Sequence, residues 1–292
     1  MAILTGINTR LRGSAGDWTF SRLNGQTVAK QKVETKENPT RTFAQMVRRV
    51  QWANLVALYQ AFEGNLHPSF ENKDSRVSDY NEFMSANIGA APVYLTKDQA
   101  RQGGCVVAAY QVTRGSLPSI IMTEDASHVV STDIALGSLN IGSGTDIKAF
   151  SDAVVQNNPN YRYGDQITCF IATQTMDAAT GVPRVSIEAL EITLDGVDDE
   201  TMLYDVVNAH GFTTVSGHIG ADAAVNGAIA WIHSRRASSG TKVSTQRFMV
   251  NNPILAGFQT EDARDKAIIS YGGTLTEEFL TPNTPAAPVV NP

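Results

Sequence analysis

Cysteine is scarce in this chain. Two in 292 residues, Cys105 and Cys169, are too few for a disulfide framework. Cys169 sits in the apolar run "ITCFIA" and reads as a buried thiol, which suits a chain made in a reducing cytoplasm. Long hydrophobic runs are missing as well. No stretch approaches the ~20 apolar residues of a membrane span, so no membrane partner is expected. The opening "MAILTGINTRLRG" has neither the sustained apolar core nor the cleavage site of a signal peptide, so export by the usual route is not expected. Charge is modest at 18% against 42% apolar residues, which rules out disorder over most of the length.

Chemical signatures are equally thin. The five histidines are His67, His128, His210, His218 and His233, and no HxxxH or CxxC spacing joins them into a zinc site. "LDGVDDE" gathers Asp195, Asp198, Asp199 and Glu200 without the alternating ligands and closing glutamate of a calcium loop; an acidic turn explains it better. "GSGT" at 142–145 has no following Lys-Ser/Thr and no strand-to-helix setting, so it reads as a turn rather than a phosphate cradle. No GxSxG occurs, and no pair of carboxylates stands out as acid and base. The expectation is a protein that is not an enzyme, with no cofactor, no metal and no catalytic residue.

What the chain does have is polarity of charge. Residues 1–50 carry nine Lys/Arg against three Asp/Glu, a balance of +6 that leaves −12 for the remainder. Such asymmetry can orient neighbouring copies or aim one end at an acidic partner. Within that basic segment, "WTFSRL" and "QTVAKQKV" alternate on either side of Asn24-Gly25, a strong hairpin signal because both turn residues tolerate positive φ. Trp18, Phe20 and Arg22 share one face; Val28, Lys30 and Lys32 share a face of the second strand. An isolated two-stranded hairpin is marginal in water, so it should lie on its helix or on another copy. After a break at Asn38-Pro39-Thr40, with Thr40 or Thr42 as cap, a long helix runs to Gly64. Its stripe is Phe43, Val47, Val50, Leu55, Leu58 and Phe62, broadened by Trp52, Val56 and Tyr59.

A second helix, "VSDYNEFMSANIGAA", is capped by Ser78 and buries Phe83, Met84 and Ile88; Thr96 to Gln99 form a capping box. The period then falls to two. Candidate strands are "CVVAAYQVT", "SIIMTE", "QITCFIATQ", "VSIEALEITL", "GAIAWIHSR", "KVSTQRFMV" and "AIISYG", with "FSDAVVQNN" as a short helix between two of them. About seven strands at this spacing predict a sandwich. The fold class is therefore α+β: an N-terminal β-hairpin and helices over 1–95, a mainly antiparallel, immunoglobulin-like β-sandwich over 96–275, and an extended proline-rich tail over 276–292.

The segment 13–62 resembles an uncharacterised protein family of Bacteroidota genomes and their phages. The resemblance rests on Gly13, Gly16, Trp18, Gly25, Val28, Asn38, Pro39, Thr40, Gln45, Arg48 and Phe62. "YRYGDQITCFIAT" and "GAIAWIHSRRASSGTKVSTQRF" are similar to strand pairs in the family's immunoglobulin-like C-terminal part. The resemblance implies a structural virion protein of a crAss-like phage, an oligomeric ring subunit between portal and tail. Its partners would be copies of itself and portal or tail proteins, and it would be made in the host bacterial cytoplasm. Capsid decoration or head-fibre attachment is the alternative within the virion. A DNA-binding accessory protein is a third reading, disfavoured by a pI near 5.4 because an acidic body repels phosphates. The candidate interface residues are Trp18, Phe20, Arg22, Val28, Lys30, Lys32, Arg48, Arg49 and Trp52, with residues 13–36 adding to the sheet of the next copy.

Overall fold

The computed structural model describes residues 2–4, 12–23, 26–32, 42–66, 69–71, 77–221, 226–238, 240–273 and 275. The Asn24-Gly25 turn, the Asn38-Pro39-Thr40 break, His67 and the proline-rich tail fall outside them. The chain divides into two compact units, Met1–Arg41 and Thr42–Pro292.

In the first unit the hairpin is present but has company. Strands β1 (Ala2–Leu4), β2 (Gly13–Ala15), β3 (Trp18–Leu23) and β4 (Gln26–Gln31) form an antiparallel sheet in the order β1-β4-β3-β2. β2 turns into β3 through Gly16-Asp17, where Gly16 takes a φ of 56°, a conformation that favours glycine. β3 and β4 pair from Trp18↔Gln31 to Leu23↔Gln26. The expected two-stranded hairpin is thus the centre of four strands, and its stability does not have to come from a helix.

The second unit begins at the long helix. Thr42 caps α1 (Phe43–Ala61) by accepting from the N–H of Gln45 at 3.4 Å, and no glycine or proline interrupts it. Met46, Val50, Asn54, Leu55 and Leu58 form its buried stripe. α2 (Asp79–Asn87) follows, capped by Ser78, then α3 (Lys97–Arg101) with its capping box complete. Phe83 and Met84 are buried as expected, whereas Ile88 is half-buried.

Next come β5 (Gln111–Thr113), β6 (Met122–Glu124), β7 (Val130–Ala135), α4 (Ile147–Asn157), β8 (Gln166–Met176), β9 (Pro183–Thr193) and α5 (Leu203–Val206). β10 (Thr213–Val215), β11 (His218–Ala221), β12 (Gly227–Ala237), β13 (Gly240–Val243), β14 (Gln246–Arg247), β15 (Met249–Asn251) and α6 (Glu261–Ser270) complete the unit. The central sheet runs β9-β8-β12-β13 with β15 also on β12, the second sheet runs β10-β11-β7-β6, and β14 pairs β5. Gly227 enters β12 with its Cα against the backbone of β8; a Cβ there would stand 1.9 Å from the Ala172 carbonyl oxygen.

Alternation along β8 and β12 builds two cores, one on each face. Ile167, Cys169, Ile171, Ile229 and Trp231 pack with the second sheet and Phe150 of α4. Phe170, Ala172, Ala228, Ala230 and Ile232 pack beneath α1 and α2. The body is therefore three layers, helices over sheet over sheet. The α+β class with mainly antiparallel sheets holds, the helices adding a third layer to the two sheets expected for 96–275, and the division of the chain falls at Thr42 rather than at residue 95. Leu55 and Leu58 of α1 and Phe62 at its C-terminal cap share one core with Cys105, Val106 and Phe170, so a cut at 95 would pass through it.

Three runs depart from their expected strands, and one of them, "KVSTQRFMV", breaks into the end of β13, β14 and β15, with β14 pairing β5 while its neighbours pair β12. "AIISYG" ends a helix, α6, because Thr260 caps it at Ala263 and Glu261 and Asp262 occupy its first turn. In "CVVAAYQVT" only Gln111–Thr113 is a strand. Residues 105–110 thread between α1 and the central sheet, with Cys105, Val106, Val107, Ala108 and Tyr110 all buried. Carboxamides take the place of a neighbouring strand. Asn54 donates to the Val106 carbonyl at 2.9 Å and accepts from the Val106 N–H at 2.8 Å. Gln174 accepts from the Val107 N–H at 3.0 Å and donates to the Cys105 carbonyl at 3.1 Å. Asn252 donates to the Val107 carbonyl at 3.0 Å, and Asn87 takes both main-chain groups of Gln111 at 2.7 and 2.9 Å.

Replacing Asn54 with alanine removes a partner from two buried main-chain groups and from the Tyr110 hydroxyl. A buried group left unsatisfied costs about 1–3 kcal/mol, so Asn54→Ala is expected to destabilise by about 2–4 kcal/mol. A urea titration checks this through a lowered midpoint at unchanged slope.

Candidate functional site

The helical layer stops before the central sheet does. β8 and β12 are each 11 residues long, about 36 Å at the usual rise. α1 ends at Ala61 and the chain turns away through Gly64, whose φ is 88°. Beneath the helices the shared face carries Phe170, Ala172, Ala228 and Ala230. Beyond them it carries Gln166 and Thr168 on β8, Glu191 and Thr193 on β9, and Ser234 and Arg236 on β12. These line an open cavity of about 680 Å³. Phe170, Ile232 and Val243 give it an apolar floor on the covered side, and Asn65, Ser69 and Thr113 wall it from the helical side. Ser234 reaches Gln166 at 3.4 Å, and Gln166 donates to Glu191 at 2.9 Å, so one polar chain crosses three strands. The groove is a hydroxyl- and amide-lined surface with one carboxylate and one guanidinium, suited to hydrogen-bonding a polar chain laid across it.

On the opposite face, at the same end of the sheet, lies a buried ion cluster. Asp165, just before β8, takes a bidentate pair of bonds from Arg235, Nε to Oδ1 and Nη2 to Oδ2, both at 2.6 Å. His233 Nε2 donates to Oδ2 at 2.9 Å, and the Arg162 main-chain N–H adds 3.1 Å. Arg235 also reaches the Asn160 carbonyl at 2.7 Å. The Tyr161 ring stacks on the imidazole with centroids 4.3 Å apart. Burial raises the Asp165 carboxyl, but the bonds from Arg235 and His233 outweigh it and hold the group below the usual carboxylate range. Burial pushes His233 down, against the opposing pull of Asp165, so the ring is held neutral. A histidine beside an aspartate resembles a proton-transfer pair, but both side chains are 1% exposed, which closes them to a substrate. The cluster staples the 158–165 loop to β8 and β12.

The acidic loop is likewise engaged in its own turns. Asp195 accepts from the Val197 N–H at 2.8 Å, and Asp198 accepts from Thr201 at 3.0 Å. Among the described residues no three His, Cys, Asp or Glu side chains converge as a metal would require. Both thiols are buried, and burial pushes each well up, which leaves them unreactive.

The candidate interface residues fall into two sets. Trp18, Phe20, Arg22, Val28, Lys30 and Lys32 belong to the first unit; Arg48, Arg49 and Trp52 belong to the second. On the small sheet the register puts Trp18, Phe20 and Arg22 on one face and Val28 and Lys30 on the other, with Lys32 continuing that alternation just past β4. One flat contact therefore cannot use all six. Trp18 is 47% exposed, Phe20 is half-buried, Val28 is buried, and Lys30 and Lys32 are exposed; the Arg22 side chain lies outside the described atoms. On α1, Arg48, Arg49 and Trp52 are exposed, and Arg48 donates to the Ile88 carbonyl at 2.8 Å.

The groove and the cluster escaped the reading of the sequence. The groove had a signal: even positions along "QITCFIA" change from polar to apolar at Phe170, and those along "GAIAWIHSRR" change from apolar to polar at Ser234. The cluster had none, because Asp165 and His233 are joined only by the strand register.

The cluster generates a pH dependence. A neutral buried histidine contributes in full above its ordinary value of 6.5, and that contribution declines as pH falls below it. Asp165 adds a further loss as pH drops through and below about 4. Asp165→Asn leaves Arg235 without its counter-ion and is expected to cost about 3 kcal/mol at pH 7. Urea midpoints at pH 7, 5.5 and 4 check both parts: the variant starts lower, and its decline toward pH 4 is steeper because His233 has lost the opposing pull of Asp165.

Comparison of the chain with protein families, with curated proteins and with solved structures found no match.

Proposed function

We propose that this protein is a structural virion subunit, an oligomeric ring component of a phage portal–tail assembly that joins copies of itself and does no chemistry. The observation that carries this reading is the division of the chain. Residues 1–41 form a compact unit of their own with seven Lys/Arg and three Asp/Glu, a balance of +4 that leaves −10 for residues 42–292. A small basic module joined to a larger acidic body has the polarity that head-to-tail association uses. Its edge strands, β1 and β2, are three residues each, and the exposed Trp18 supplies an aromatic anchor of the kind enriched at interfaces.

The body supports the reading as a platform. Lettered in chain order from β6 to β13, its sheets run A-B-E-D and C′-C-F-G, the order of an immunoglobulin-type domain. Trp231 is buried on strand F, where its Nε1 donates to the Gly211 carbonyl at 2.8 Å, and both cysteines are free.

Light scattering and electron microscopy of the purified full-length chain test the proposal. The expected result is a closed cyclic oligomer that dissociates as salt rises. Six- or twelve-fold rings fit the portal–tail axis, and trimers fit decoration or fibre attachment. A chain that stays monomeric up to about 100 μM, well above the micromolar range of ordinary specific contacts, would contradict the reading.

A further inference from the structure

The groove lies beside a free sheet edge. At the end of β8 the Gln174 N–H donates to the Asn226 carbonyl at 2.6 Å, continuing the β8–β12 ladder. Even-numbered residues of β8 therefore turn their main chain toward β12, and odd-numbered ones toward β9. On β9 the even-numbered residues pair inward. Just past the strand end, Leu194 does so by donating to the Asp165 carbonyl at 2.8 Å and accepting from Gly164 at 2.8 Å. The main-chain groups of Val185, Ile187, Ala189, Glu191 and Thr193 consequently point away from the sheet.

That edge is met only at its start, where the Pro183 carbonyl accepts from the Cys105 N–H at 2.8 Å. From Val185 to Thr193 no main-chain group on the outer side has a partner among the described residues. A long open edge is a template for another strand, and proteins that do not use one shorten it, twist it or cover it. β9 keeps 11 residues, with exposed Glu188 and Glu191 side chains along it. Glu191 and Thr193 also line the groove, so a strand added here would lay alternate side chains over the open half of the face.

We infer that the outer edge of β9 is the acceptor site for strand addition by the basic unit, residues 1–41, of a second copy of this chain. This rests on the assembling-subunit reading and adds the surface that receives the next copy. Three observations select that occupant. The charges are complementary, with exposed Arg12 directly before β2 on the donor against the exposed Glu188 and Glu191 on the edge. The donor has an edge to offer: β2 is Gly13, Ser14 and Ala15, all exposed and small, so no side chain obstructs an approaching backbone. The acceptor offers outward main-chain groups at five successive odd positions, more than the three residues of β2 need.

The test uses the full-length chain. Ala189→Pro deletes one outward N–H and leaves the inward ladder intact, the one setting in which a strand tolerates proline. The expected result is a variant with the parent circular dichroism spectrum and melting curve that no longer assembles. In the parent, the amide of Ala189 and that of one outward neighbour, Ile187 or Glu191, should exchange slowly in the assembly and fast in the high-salt monomer. A charge swap gives an independent arm that does not depend on how the proline variant folds. Arg12→Glu should weaken association about threefold to tenfold, and adding either Glu188→Lys or Glu191→Lys should restore it. Assembly of Ala189→Pro to the parent size, or edge amides that exchange equally in both states, overturns this inference and leaves the assembling subunit standing. A parent chain that is monomeric throughout overturns both.

Discussion

Everything in the body of this protein depends on satisfying the main chain of one buried segment that is not a strand. Cys105 to Tyr110 are apolar enough to enter the core, yet their amides and carbonyls must find partners once water is gone. Most of the partners come from three carboxamides on three different parts of the chain, Asn54 of α1, Gln174 of β8 and Asn252 after β15, and Asn87 of α2 holds Gln111 just beyond the segment. Each therefore ties its own element to the threaded segment. Gln174 and Asn252 also meet each other at 3.0 Å, so the bonds form a network in which every member constrains the next. This is why α1 is part of the body and why the first unit ends at Arg41.

The same arrangement sets what is left open. The threaded segment and its helices occupy the half of the central sheet that carries Phe170, Ala172, Ala228 and Ala230. The other half keeps a polar face and the adjacent edge of β9. On the reverse side, the sandwich core and the Asp165 cluster hold that end of the sheet rigid. A fixed face with an unoccupied edge is suited to receiving a partner without reorganising.

Long strands were legible in the sequence because alternation of β-branched and polar residues speaks for itself. β8, β9 and β12 lie where "QITCFIATQ", "VSIEALEITL" and "GAIAWIHSR" place them, the caps at Ser78 and Thr96 were equally plain, and Thr42 was one of two candidates for α1. The threaded segment was misread because "CVVAAY" has the composition of a strand; what denies it a ladder is its setting between a helix and a completed sheet. Asn54 sits among apolar positions of α1 and gave no sign of its burial, since a carboxamide inside a helix looks like any solvated residue. β1 and β2 are three residues of small or unpatterned sequence, too short for periodicity to register. The open edge of β9 depends on strand order, which composition does not encode.

The central claim is that the carboxamide network makes the threaded segment as stable as the sheet it lies on. Native-state hydrogen exchange of the Val106, Val107 and Gln111 amides tests it most directly. The account predicts that these amides exchange only through global unfolding, with the same protection free energy and denaturant dependence as those of Cys169 and Trp231. Exchange of the segment through a local opening, while the strand amides stay protected, would contradict it.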